Sequence, residues 1–188
     1  MACYTGKASL TETDPNWKSS GKLTQELITC MKKHAQNFGI DWKWLAALSN
    51  AESTWNTTIK NKYGYYGLFQ YKQETMNDKT KRVDSYDDQT YCAARDMKRR
   101  FVFATSKEVG MKTEDAYLYA CIAHNTGDGG AQEILSHSKQ KTVQGMINTV
   151  KTFNSKYPYL NTKDKKDEIA KHPLHCKTAY DYVVKNYK

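Results

Sequence analysis

DWKWLAALSNAESTWN, residues 41–56, is the stretch from which the rest of the chain is read. Asp41 is a residue type that caps helix N-termini, and Leu45 and Leu48 follow it at helical three-to-four spacing. The next position on that row is Glu52, so the pattern predicts a helix whose inward face ends on a carboxylate. Trp55 and Asn56 close the segment and put Glu52 near the helix C-terminus, where the negative end of the helix dipole disfavours another negative charge. Apolar surroundings and the dipole act in one direction. Both keep a carboxyl protonated to higher pH than water would, which is the state a general acid needs. Taken alone, the helix also allows the plainer reading of a terminal glutamate that reaches solvent.

Before this stretch, Leu23, Leu27, Met31, Ala35 and Phe38 share one helical face, and Gly39 supplies a left-handed stop, which predicts a helix over 23–38. Residues 1–20 are polar, contain Pro15 and read as an irregular arm that Trp17 pins to the body. After it, 56–71 reads as a loop or small β-region with a turn at Asn61 and Gly64, leading to Gly67-Leu68-Phe69-Gln70. The glycine allows close backbone approach, and the Gln70 amide both donates and accepts hydrogen bonds. Tyr63, Tyr65, Tyr66 and Tyr71 in the same loop suit either internal packing or a groove that stacks on sugar faces.

Further on, Asp87 or Asp88 is expected to begin a helix with Tyr91, Ala94, Met97, Phe101 and Ala104 on one face. Thr113 is expected to cap the next, with Glu114 and Asp115 in its first turn and Leu118, Cys121 and Ile122 as its buried stripe. That helix runs into Ala123-His124-Asn125-Thr126-Gly127 and Asp128-Gly129-Gly130, where the glycines end it and leave His124 and Asn125 at its mouth. A short helix over 132–136, a stronger one carrying Val143, Met146, Ile147, Val150 and Phe153, and a last one with Ala179, Val183 and Val184 complete the reading. The expected organisation is an extension over 1–20, one domain over 21–154 and a C-terminal extension over 155–188 packed on it.

A chain of 188 residues, 39% hydrophobic and 26% charged, is long enough for one buried core. The net charge of +9 suits an anionic partner, whether nucleic acid, an acidic membrane surface or a cell wall. Lys60, Lys62, Lys79, Lys81, Lys139, Lys141 and the lysines of 163–166 are scattered, so most read as solvated surface. No apolar run has the length of a membrane span, and 1–10 lacks the apolar stretch of a secretory signal. Work outside a cell would then need another route of delivery, or a signal or parent chain already removed. The five cysteines form no close Cys-x-x-Cys pair and read as buried thiols rather than a disulfide framework. His172, His175 and Cys176 match no strong zinc spacing, so no metal is expected there.

Glu52-Ser53, Gly67-Leu68-Phe69-Gln70 and Ala123-His124-Asn125-Thr126-Gly127 form a set. In order and spacing, across 23–135, they resemble the soluble lytic transglycosylase family, in which the pieces read Glu-Ser followed shortly by Asn, Gly-Leu-Met-Gln and Tyr-Asn-Ala-Gly. Asp87-Asp88-Gln89 and the helix after them fit the family's helix that follows a proline and a glutamine. Phe69 replaces the usual methionine and keeps an apolar wall. His124 stands where the family has a tyrosine that contacts the acid, which leaves the orientation of Glu52 open; an imidazole there donates the hydrogen bond, shifts the pH optimum through its own titration, or is a helix-end histidine with no part in the chemistry. Asp128 replaces a common proline.

The resemblance implies a mainly α, goose-type-lysozyme-like single domain with a small irregular or β region near the active site. It also implies a peptidoglycan lytic transglycosylase that cleaves the MurNAc-GlcNAc β-1,4 bond and forms 1,6-anhydroMurNAc, with Glu52 as single acid and base. Ser53, Gln70 and Asn125 would hold the sugars, Phe69 and Tyr71 would wall the groove, and Gly67 and His124 would line it. Neither metal nor cofactor is implied. The implied partner is the glycan strand rather than nucleic acid, and the expected protein is a monomer without a membrane span, acting at the wall from the periplasm, the exterior or a virion. Lysine, asparagine and tyrosine abundance without a signal peptide points to phage delivery. A lysozyme-type hydrolase on the same fold is the alternative, and Glu74, Asp78, Asp84, Asp87 or Asp88 would supply its second acid. A wall-binding structural protein without turnover is another, and a nucleic-acid binder, suggested by charge alone, the most distant.

Overall fold

The computed structural model describes residues 9–10, 12–18 and 20–187. The arm expected over 1–20 and Cys3 therefore lie partly or wholly outside the described residues. Six α-helices carry most of the described chain, and no sheet forms among these residues. They are α1 (Gln25–Phe38), α2 (Trp42–Ser53), α3 (Tyr86–Ala104), α4 (Thr113–His137), α5 (Val143–Thr152) and α6 (Lys163–Asn186), with short 3-10 turns at Gln73–Met76 and Pro158–Leu160. The architecture is the mainly helical, lysozyme-like class expected. In place of a strand, the expected β-region holds two isolated antiparallel bridges, Lys60 with Tyr66 and Tyr66 with Tyr71. No helix among the described residues is long and apolar enough to cross a membrane.

The chain falls into two compact units, one of Asn16–Lys98 with Thr178–Lys188, the other of Arg99–Lys177 with the described residues up to Pro15. In the first, Thr24 caps α1 by accepting from Leu27 N at 3.3 Å, and Gly39 closes it in the left-handed region at φ 62. Asp41 caps α2 as its sequence position predicts, accepting from Lys43 N at 2.9 Å. Every residue from Trp44 to Asn50 is buried, so α2 is enclosed on all sides rather than amphipathic. Its enclosure comes from both ends of the chain. Trp17 Nε1 donates to Asn50 Oδ1 at 2.8 Å. Tyr180 of α6 stacks on Trp44 with centroids 4.0 Å apart and donates its hydroxyl hydrogen to Asp41 Oδ2 at 3.2 Å. Tyr182 lies against both Trp17 and Trp55. Each such aromatic pair adds about 0.5–1.5 kcal/mol beyond the area it buries.

The second unit is built on α4, buried without interruption from Asp115 to Ala123. The Asp115 carboxylate in its first turn accepts from Ser9 N at 3.0 Å and Ser9 Oγ at 2.9 Å, while Ser9 Oγ accepts from Gln144 N at 3.2 Å. One carboxylate thus ties the N-terminal segment to the start of α5, and burial pushes its pKa up. Gly127 (φ 73, ψ 159) breaks α4, and the helix resumes at once with Asp128. The short helix expected over 132–136 is part of that second leg. Tyr159 secures the break by donating its hydroxyl hydrogen to Thr126 O at 2.6 Å.

Three local readings are corrected. Ser85 caps α3 by accepting from Asp88 N at 3.2 Å, so the helix begins at Tyr86 and both aspartates lie in its first turn. Lys112 holds the N-cap position of α4 without a side-chain bond, and Thr113 is the first helical residue. Ala179 and Val183 are buried as expected, but Val184 turns outward and is 44% exposed. Cys30, Cys92, Cys121 and Cys176 are all buried, and Cys176 Sγ lies 3.7 Å from His172 Nε2.

Candidate active site

Glu52 sits in the last turn of α2, so the most enclosed helix of its unit carries it. The residue is partly exposed, with its Oε1 atom buried. Immediately after it the backbone turns through two successive left-handed residues, Thr54 (φ 52) and Trp55 (φ 65). Each costs a non-glycine residue roughly 1–2 kcal/mol. Trp55 is held there because its buried ring donates Nε1–H to Ala46 O at 2.8 Å, and Thr54 N bonds Asn50 O at 2.8 Å. Strain of this kind collects at functional positions, where surrounding structure over-determines it.

The carboxylate's neighbour in sequence ties the helix to the next motif. Ser53 Oγ lies 2.9 Å from Leu68 O and 3.0 Å from Ser49 O, so its one hydroxyl hydrogen is shared between two carbonyls. Leu68 belongs to a four-residue loop closed by Tyr66 and Tyr71, which exchange backbone bonds of 2.9 and 3.1 Å. Gly67 N donates to Ile59 O at 2.7 Å, and the Gln70 amide folds back to donate to Gly67 O at 2.9 Å. Gly67 has φ 72, and a Cβ there would overlap the Gln89 side-chain amide and come within 3.0 Å of Thr57 O. Only glycine fits both requirements. Gln89, in the first turns of α3, accepts from Phe69 N at 2.9 Å and donates to Val83 O at 2.5 Å. It is fully buried and acts as the bracket that fixes the loop.

Of the expected sugar contacts, Phe69 is 0% exposed, Ser53 4% and Tyr71 5%. Ser53 was expected to hold the sugars and Phe69 and Tyr71 to wall the groove, and all three are buried. The Tyr71 hydroxyl donates to Asp96 Oδ2 at 3.4 Å, and Asp96 is held by Arg95, which also reaches Met76 O at 2.7 Å. These three side chains therefore support the loop from below, together with buried Gly67, while Gln70, Tyr65 and Tyr66 keep partial exposure and Tyr63 is exposed.

His124 and Asn125 belong to the other unit, on the last turn of the first leg of α4, and both are partly exposed. Asn125 Nδ2 donates to Glu168 Oε1 at 2.6 Å, and its own carbonyl accepts from Lys165 Nζ at 3.3 Å. Asn125 Oδ1 is buried with no partner among the described residues. Burial works to raise the Glu168 pKa, but its bonds to Asn125 and Lys165 outweigh that and hold it below the usual carboxylate range. The His172 imidazole is pushed well below its ordinary value by desolvation first and then by the neighbouring His124 and His175. Glu168 was invisible in the sequence, because it lies in a lysine-rich run with no motif around it.

The acids considered for a hydrolase are placed as follows. Asp78 is bonded by Thr80 and lies 4.0 Å from Arg95, Asp84 is paired with Arg82, Asp87 with Lys33 and His34, and Asp88 with Lys81. Glu74 lies exposed in the Gln73–Met76 turn.

The family model described as the transglycosylase SLT domain matches residues 29–147, more than half of the chain, and that span takes in Glu52, Gly67-Leu68-Phe69-Gln70 and His124-Asn125. Among curated proteins no relative matches.

Proposed function

The chain belongs to the transglycosylase SLT domain family, and from that premise we propose that Glu52 is the single acid and base of a transglycosylase acting between MurNAc and GlcNAc. Membership carries a lytic-transglycosylase type of activity on the peptidoglycan of the cell wall in general. The bond, the product and the residues are the proposal. Glu52, as a carboxylic acid, protonates the bridging β-1,4 oxygen, and the bond from that oxygen to C1 of MurNAc breaks. The C6 hydroxyl oxygen of the same sugar closes on C1 and its proton passes to the Glu52 carboxylate, which is thereby an acid again. The product is a 1,6-anhydroMurNAc end, and no water is consumed.

The observation that carries the reading is a carboxyl with one buried oxygen, held on the last turn of an enclosed helix and followed by two strained residues. A second one supports it: four of the five acids weighed for a hydrolase are already engaged by cations. Gln70, and by their place in the motif His124 and Asn125, are proposed to contact the sugars, with Ser53, Gly67, Phe69 and Tyr71 as support. The net charge of +9 favours an anionic polymer.

The test is mass spectrometry of muropeptides released from purified peptidoglycan by the protein and by a Glu52→Gln variant whose fold is checked by circular dichroism. Anhydro products from the intact protein alone are expected. Products with reducing ends would replace the reading with a hydrolase, and binding without products would replace it with a wall-binding role.

A further inference from the structure

Cys30 and His34 lie four residues apart and so present their side chains on one face of α1. Facing them is Asp87, from the first turn of α3. His34 Nε2 is 3.0 Å from Asp87 Oδ1, Cys30 Sγ is 3.5 Å from the same oxygen, and all three donor atoms lie within 4.8 Å of one another. We infer that Cys30, His34 and Asp87 form a binding site for one divalent transition-metal ion, with Zn²⁺ as the fitting ion and water as its fourth ligand. The site is separate from the Glu52 chemistry and does not rest on it.

The distances suit the ion. Zinc bonds of about 2.0–2.3 Å at tetrahedral angles place ligand atoms roughly 3.3–3.6 Å apart; the edges to Asp87, 3.0 and 3.5 Å, lie near that range, and the third edge, from Cys30 Sγ to His34 Nε2, lies within 4.8 Å and is set by side-chain rotation as the ion enters. A thiol, an imidazole and a carboxylate are also the mixed donor set that zinc accepts. Without an ion the arrangement is crowded, because the same Asp87 oxygen is approached by His34, Cys30 and the Lys33 ammonium, the last at 3.0 Å. An oxygen with two lone pairs does not satisfy three donors well, whereas a central cation satisfies sulfur, nitrogen and oxygen together.

Access and adaptability are present as well. Cys30 and His34 are buried, while the side chains of Asp87 and Lys33 are 46% and 58% exposed, which leaves a way in for the ion and a way out for the ammonium. The His34 ring stands edge-on to Tyr91 at 84°. Without an ion, the Asp87 carboxylate favours the tautomer with its proton on Nε2; the buried Nδ1 atom has no partner among the described residues, so the proton can pass there when an ion takes the Nε2 lone pair. Zinc would displace the thiol proton to solvent. Bound metal would pin α1 to the turn of α3 that precedes Gln89, the bracket of the Gly67-to-Gln70 loop.

The test titrates the metal-free full chain with Co²⁺ and then with Zn²⁺ as competitor. One equivalent of Co²⁺ is expected to give tetrahedral d–d bands and a thiolate charge-transfer band, both abolished by Zn²⁺. Cys30→Ser should remove the charge-transfer band, Asp87→Asn should weaken binding by at least roughly 10–100-fold, and Lys33→Ala should bind no less tightly. Should a variant fail to fold, zinc absorption fine structure on the unaltered protein should show one sulfur at about 2.3 Å. A charge-transfer band that survives Cys30→Ser, or a shell of nitrogen and oxygen alone, would overturn the site.

Discussion

Replacing Gly67 by alanine tests how the loop beside Glu52 is held. At φ 72 the new residue bears the left-handed cost of roughly 1–2 kcal/mol. Its Cβ would also overlap the Gln89 amide, which must then give up the Phe69 N bond at 2.9 Å and the Val83 O bond at 2.5 Å. Leaving such groups unsatisfied in a buried place costs about 1–3 kcal/mol each. The sum, about 3–8 kcal/mol, is a large part of the stability of an ordinary domain. Gly64→Ala is the control, because Gly64 has φ 87 but nothing within 4 Å of its would-be Cβ, so it bears the backbone cost alone. Urea unfolding followed by circular dichroism should place the Gly67→Ala midpoint about 1 M or more below that of Gly64→Ala. Adding Gln89→Ala to Gly67→Ala should cost less than the two single changes together, since both remove the same bonds. Equal midpoints for the two glycine variants would refute the bracket.

Tyr180→Ala removes the ring stacked on Trp44 and the bond to Asp41, and should lower stability by about 2–4 kcal/mol in a thermal melt; an unchanged melt would mean that the last turns of α6 do not support α2. At the kink of α4, burial pushes the Asp128 pKa up, but Arg99 and Arg100 outweigh it and hold the carboxyl below its ordinary value. A depressed folded pKa gives stability that is complete above the unfolded value of about 3.9 and lost as pH falls through the folded one. Asp128→Asn should therefore melt lower at pH 7, by about 1–2 kcal/mol after allowance for its partial exposure, and the gap should close as the pH is taken below about 4. A gap that is constant with pH would assign the loss to packing instead.

What the sequence made legible was local or carried by the family motifs. Asp41 and Gly39 act as expected because a cap and a left-handed stop depend on the residue itself and its nearest backbone. Glu52 was singled out by its row on α2, yet that row was read from an amphipathic helix, and α2 is enclosed on every side. Ser49 and Asn50 look like surface residues; they are buried because Ser49 bonds Ala46 O and Asn50 accepts from Trp17, a residue more than thirty positions away. Ser53, Phe69 and Tyr71 were read as facing the sugars but are buried, since spacing does not reveal that Leu68 O, Gln89 and Asp96 claim their polar groups. The hydrogen bond from Asn125 to Glu168 joins residues 43 apart and depends wholly on where α6 runs.

The seating of Tyr180 on α2 also sets an order of assembly. Asp41 and Tyr180 are 139 residues apart, so during synthesis α2 emerges from the ribosome long before its stacking partner exists. At roughly 5–20 residues per second the interval is about 7–28 s. A nascent or truncated chain that ends before Tyr180 carries Glu52 on a helix whose Trp44 face is still open.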